Sequence, residues 1–150
     1  MEKLTEVSEI TIRYIPKKGA KPIVGSAQNA YDALLPFFPK DRIAIQEQFV
    51  VMYLNRANKI IGIFRVSTGG ITGTVVDVRL ILGTALKIAA TGIILAHNHP
   101  SGNLKASQAD QLLTRKLKNA AALMDIRVED HIILSGTDNS FYSFASEGEI

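Results

Sequence analysis

Apolar and polar positions alternate over Glu9–Ile15, with Ile10, Ile12 and Tyr14 set against Thr11 and Arg13. That period of two predicts a strand with one buried face. Pro16–Pro22 is a basic turn, and Ser26 is placed to cap a short helix over Ala27–Leu35, with Ala30, Ala33 and Leu34 at helical spacing before Pro36 and Pro39 end it. Two apolar runs, Glu47–Leu54 and Ile60–Val66, flank the polar link Asn55–Lys59 and predict a β-hairpin. Ser67–Gly73 is a glycine-rich loop. Asp77 can cap the next helix, whose apolar face is Val78, Ile81, Leu82, Ala85, Ile88 and Ala89, with Gly92 as its C-cap. Ile93–Ala96 is short and wholly apolar, as expected of a central strand covered on both faces. His97–Leu104 reads as a loop by composition. A long helix follows from about Ser107 to Met124, with a buried stripe of Ala109, Leu112, Leu113, Leu117, Ala120 and Met124. His131–Leu134 and Ser140–Phe144 are the last strands, joined by the turn Gly136–Asn139. The order, roughly β-α-β-β-α-β-α-β-β, predicts an α/β fold with a mixed β-sheet flanked by helices.

A chain of 150 residues is a one-domain length. Hydrophobic residues at 47% and charged residues at 21% argue against a disordered chain. The net charge of +3 is too mild to imply nucleic acid by itself. The chain has no cysteine, which excludes a disulfide framework, a thiolate metal site and a cysteine nucleophile, so any metal falls to His, Asp or Glu. The start lacks a basic region followed by an apolar one, and the longest mainly apolar stretch, Ile88–Ala96, is far short of a membrane span. A cytoplasmic protein with no membrane partner is expected.

His97 and His99 stand two apart at a strand end, where residues i and i+2 point the same way. Two imidazoles so placed can reach one metal, and Asp110, in the first turn of the following helix, can supply a third ligand. Two histidines and one carboxylate leave a position open for water, the pattern of a catalytic zinc. Ser107, one turn before Asp110, has a hydroxyl that can donate to a developing oxyanion. The site also needs a base, and Glu47 at the start of the hairpin can serve as one; Glu9 and Asp41 are other upstream acids.

The string His97-x-His99-Pro100, then 101–106, then Ser107-x-x-Asp110 resembles the JAMM (MPN+) metalloprotease signature, a family that also uses an upstream glutamate. Ile94–Gly102 resembles the RadC branch in particular, as do Glu47-x-Phe49, Ala85-Leu86 and Asp130–Ile133. The resemblance covers about residues 26–144 and implies a JAMM/cytidine-deaminase-like α/β sandwich. It implies one zinc ion held by His97, His99 and Asp110, with Glu47 and Ser107 catalytic, and a peptide or isopeptide bond in a protein or peptide as substrate. Three features depart from the branch. Lys105-Ala106 replaces a proline before the serine, Val78-Arg79-Leu80 replaces a Pro-Arg-Glu string, and no helix-hairpin-helix is expected, since 1–25 read as strand and basic turn before the core of 26–144.

Other readings compete. Ser107-x-x-Asp110 is also a capping box. His131 ahead of an apolar run reads as a structural histidine, and Asp130 as its partner or a turn residue. Arg115, Lys116 and Lys118 read as a solvated helix face, and Lys17, Lys18 and Lys21 as a solvated turn. Gly69, Gly70 and Gly73 make no phosphate loop, because no Gly-Lys-Ser/Thr follows. The adjacent His97-Asn98-His99 is unrelated to nucleases named for scattered residues of those types. RadC relatives are commonly labelled DNA repair proteins, so nucleic acid is the alternative partner. Its support in the residues is thin, because no basic cluster is interleaved with aromatics.

Overall fold

The computed structural model describes residues 7–11, 13–69 and 76–150. Ser26 opens the first helix as expected: its hydroxyl oxygen accepts from the Asn29 N–H at 3.1 Å, satisfying one of the free amides of helix α1 (Ala27–Leu34). A 3-10 turn over Leu35–Phe37 carries Pro36 and ends the helix. The hairpin forms from β1 (Gln48–Leu54) and β2 (Ile60–Thr68), and the turn residue Asn58 adopts φ 57°, a left-handed conformation that Asn tolerates. Helix α2 (Val78–Lys87) is capped by Asp77, and β3 (Gly92–His99), α3 (Gln108–Ala122), β4 (Arg127–Ser135) and β5 (Phe141–Ser143) follow.

Among the described residues five strands form one mixed sheet in the order β2-β1-β3-β4-β5. Only β3 and β4 are parallel, as the crossover through α3 requires. β3 is central, and its residues pack on both faces. Phe49, Val51, Tyr53, Ile93 and Leu95 meet Ile81, Leu82 and Ala85 of α2 and Leu117 and Ala121 of α3. Val50, Met52, Leu54, Ile94 and Ala96 meet Ala30, Tyr31 and Leu34 of α1. The α/β fold with helices on both sides of a mixed sheet is therefore the observed one. Among the described residues no helix is long and apolar enough to cross a membrane.

Four local expectations change. The strand expected over Glu9–Ile15 is not seen among its described residues, which join no ladder, and Ile10 and Ile15 are exposed. Alternation only makes a strand when a sheet edge accepts it, and here Tyr14 reaches the edge strand β2 by its hydroxyl, which donates to the Ile61 carbonyl at 3.4 Å. The left-handed residue after α2 is Ala89 (φ 55°), while Gly92 already belongs to β3. The buried stripe of α3 is Thr114, Leu117 and Ala121, with Leu112 and Met124 exposed. The loop expected to begin at His97 begins after His99, because β4 pairs in register as far as His99↔Ser135. Most of the expected glycine-rich loop lies in 70–75, outside the described residues.

Candidate metal centre

His97 and His99 are the last inward-facing residues of β3, on the α3 side of the sheet that Ile93 and Leu95 also occupy. The strand stops there because Pro100 follows and the Gly102 N–H turns back to the His99 carbonyl at 3.0 Å. The β4–β5 turn closes on the same spot, with the Gly136 N–H donating to the His99 carbonyl at 2.9 Å. Only glycine fits there: a Cβ on Gly136 would lie 2.5 Å from the Pro100 carbonyl oxygen and 2.6 Å from that of Ile43.

Helix α3 returns toward this strand end and presents Asp110 in its first turn. Ser107 and Asp110 form a reciprocal capping box: the Asp110 N–H donates to Ser107 Oγ at 3.0 Å, and the Ser107 N–H donates to Asp110 Oδ2 at 2.9 Å. The cap and the ligand reading hold together, because the cap fixes the carboxylate where the imidazoles meet it. Asp110 Oδ1 is 3.2 Å from His97 Nε2, Asp110 Oδ2 is 3.2 Å from His99 Nε2, and the two Nε2 atoms are 3.0 Å apart. Ligands of a tetrahedral ion at 2.0–2.1 Å sit about 3.3 Å from one another, so the His97–His99 and His97–Oδ1 separations fit such an ion, while His99 faces the other carboxylate oxygen. The donor chemistry fits as well. The Asn103 carbonyl can only accept, so His99 Nδ1 donates to it at 2.6 Å and neutral His99 turns a bare Nε2 lone pair toward the carboxylate. His97, His99 and Asp110 are the group of described residues that could hold a metal ion.

Glu47 stands beside this group, its Oε1 4.0 Å from His97 Nε2. Side-chain exposure rises from 1% at His97 through 14% at Asp110 and 17% at His99 to 22% at Glu47, so the cluster opens to solvent on the Glu47 side. Ser107 is exposed at the same helix end, and its capping bond uses the oxygen and leaves the hydroxyl proton to donate.

Electrostatics follow from this crowding. Burial pushes the Asp110 carboxyl up, but the imidazoles of His97 and His99 outweigh it and hold it below the usual carboxylate range. Protonated at Nε2, His99 can donate to Asp110, and that bond outweighs burial and holds the imidazole above its ordinary value. Burial, then the neighbouring His97, pushes His131 well below its ordinary value, which keeps it neutral.

Four residues next to this cluster, His131, Thr114, Asp130 and Asn98, are not placed there by sequence pattern. His131 Nε2 lies 2.7 Å from His97 Nδ1, and His131 Nδ1 lies 2.6 Å from Thr114 Oγ1. Asp130 binds the backbone around it, accepting from the His131 N–H at 2.7 Å and from the Ser143 hydroxyl at 2.6 Å. Asn98 points to the opposite face of β3, where its Nδ2 donates to the Ile43 and Gln46 carbonyls at 2.8 and 2.9 Å and its Oδ1 accepts from the Gln48 N–H at 2.8 Å. It thereby clamps the backbone on both sides of Glu47. The signal for Asn98 was its place between two inward-facing residues of a strand.

The family model for the RadC-like JAB domain matches residues 24–149. The chain belongs to the RadC family. It is 42% identical over 125 residues to a UPF0758 protein of Flavobacterium johnsoniae, which covers 83% of this chain and 52% of that protein. It is 44% identical over 103 residues to UPF0758 protein YfjY of Escherichia coli K12, covering 69% and 63%. It is also 39% identical over 148 residues to UPF0758 protein PSHAa2643 of Pseudoalteromonas translucida, covering 98% and 64%. The chain thus spans about half to two-thirds of the length of these curated relatives.

Proposed function

We propose that this RadC-family chain is a zinc-dependent hydrolase of peptide or isopeptide bonds. The observation that carries the reading is the convergence of His97 Nε2, His99 Nε2 and the Asp110 carboxylate at separations of 3.0–3.2 Å, with Glu47 beside them at 4.0 Å from His97. His97, His99 and Asp110 would hold the ion. When bound, zinc supplies a Lewis acid that polarises a carbonyl and eases ionisation of water. Glu47 accepts the proton of the attacking water and later delivers it to the leaving amine nitrogen. Its partly open setting gives water and substrate a path to the carboxylate. The exposed Ser107 hydroxyl donates to the carbonyl oxygen as negative charge builds on it. Buried His97 closes the inner wall of the site against water. The amide substrate is carried by the family's resemblance to JAMM proteases.

The test joins metal analysis to cleavage. Purified parent protein should hold one zinc per chain, and Asp110→Ala should lose it. The zinc-loaded parent should cleave members of a peptide and isopeptide-linked library. A parent that takes up no zinc, or cleavage that survives Asp110→Ala, would refute the reading.

A further inference from the structure

Burying polar side chains beside a metal-ligand set costs free energy unless every donor and acceptor is matched. His131 is fully buried and Thr114 nearly so, and together they run from one proposed ligand to another. The direction of each bond is fixed by counting protons. Thr114 has a single hydroxyl proton, which it donates to the Asp110 carbonyl one helical turn back at 2.7 Å. Toward His131, 2.6 Å away, the threonine oxygen can therefore only accept, so His131 carries its proton on Nδ1. Neutral His131 then offers a lone pair at Nε2, and His97 must donate its Nδ1 proton across the 2.7 Å contact. That leaves the lone pair of His97 on Nε2, the atom that faces His99 and Asp110.

We infer that His131 and Thr114 are positioning residues that set the His97 tautomer and ring orientation, anchoring it to the backbone of Asp110; this rests on the zinc reading of the site. Two further features belong to the arrangement. Phe144 stacks on His131 with ring centroids 4.7 Å apart, and Phe49 stacks on His97 at 5.9 Å, so the pair is sealed between aromatic rings where a hydrogen bond is stronger than in water. The β3–β4 register also shifts by one residue, from Ile93↔Val128 to Ile94↔Asp130. Side chains alternate along a strand, so Val128 and His131 share the α3 face only because Glu129 is an extra residue in β4. Without that bulge His131 would point to the α1 face, where Ile132 and Leu134 pack. Asp130 holds the bulge through its bonds to the His131, Ser143 and Ala145 groups.

The experiment uses the full chain and zinc alone. Long-range proton–nitrogen spectra of the imidazoles, recorded metal-free and zinc-loaded, should show His131 protonated at Nδ1 in both, and zinc-loaded His97 protonated at Nδ1. Zinc affinity is measured by competition with a chromophoric chelator. Thr114→Val, which removes the anchor, should weaken zinc about 10–100-fold, as loss of an outer partner of a ligand does. Thr114→Ser, which keeps the hydroxyl, should bind like the parent, a rescue that a packing role would not produce. His131→Phe keeps the aromatic stack but not the acceptor, and should fall with Thr114→Val. If it fails to fold, the threonine pair decides. A folded Thr114→Val that binds zinc like the parent, or His131 protonated at Nε2, overturns this inference and leaves the zinc reading standing. A parent that binds no zinc overturns both.

Discussion

Asn98→Ala removes the clamp behind Glu47 while leaving every proposed ligand in place. The Asn98 side chain is wholly buried and makes three hydrogen bonds, to the Ile43 and Gln46 carbonyls and from the Gln48 N–H. Alanine abandons all three backbone groups. The Gln48 N–H is buried and should cost about 1–3 kcal/mol, while each part-buried carbonyl, which water can reach, should cost about 1 kcal/mol. The loss should therefore be about 3–5 kcal/mol, a large share of the roughly 5–15 kcal/mol that stabilises a domain. In urea unfolding this lowers the midpoint by about 2 M, for a slope of about 2 kcal/mol/M, without changing the slope. Asn98→Asp should give no net rescue, since it keeps the acceptor for Gln48 but replaces the one nitrogen that donates to both carbonyls with an oxygen facing them. Zinc content should follow the parent at temperatures where the variant is folded, because His97 and His99 lie on the other face. A loss below about 1 kcal/mol, the worth of one ordinary hydrogen bond, would show that the clamp does not hold this backbone.

Glu47→Gln should leave zinc content and stability near the parent and slow cleavage by about 10²–10⁴-fold, since glutamine cannot take the proton; normal turnover in a cleavage assay would place the base elsewhere, and loss of zinc would make Glu47 a ligand. Ser107→Ala should lose about 1 kcal/mol in denaturant titrations through the helix cap, and should slow turnover by about 10²-fold or more. If Ser107→Asp restores stability and full activity together, the hydroxyl has no catalytic part. Zinc should leave as pH falls through roughly 5–6, because protons compete for the imidazole lone pairs, and Asp110 strengthens the proton's hold on His99 by keeping its pKa raised; full occupancy near pH 4 in metal analysis would count against both histidines. With a net charge of only +3, DNA binding should be weak and non-specific, and a sequence-specific nanomolar complex in gel-shift titrations at about 150 mM salt would overturn that.

Much of the architecture follows from local pattern. Ser26, Asp77 and Ser107 cap the three helices where their side chains can accept a free helix amide, and the apolar runs around Asn55–Lys59 form the hairpin. The strand-end pair His97 and His99 and the helix-start pair Ser107 and Asp110 were legible because short spacing sets direction: two residues along a strand, three along a helix. Partners distant in sequence were not legible. Thr114 faces inward because α3 turns its Asp110 side to the site, whereas a polar helix residue read alone is assigned to solvent. His131 reaches His97 only through the register shift at Glu129, and a one-residue slip moves a side chain to the other face of a sheet. Asn98 finds Ile43, Gln46 and Gln48 across about fifty residues of chain. Glu9–Ile15 carries a strand's alternation, yet its described residues stay outside the sheet, because a ladder needs a neighbour that the segment cannot specify by itself. Periodicity and capping act within a turn or two of the chain, so the sequence determines elements and the residues they carry. Which faces meet depends on register, bulges and helix rotation, and those are set by packing the whole chain at once.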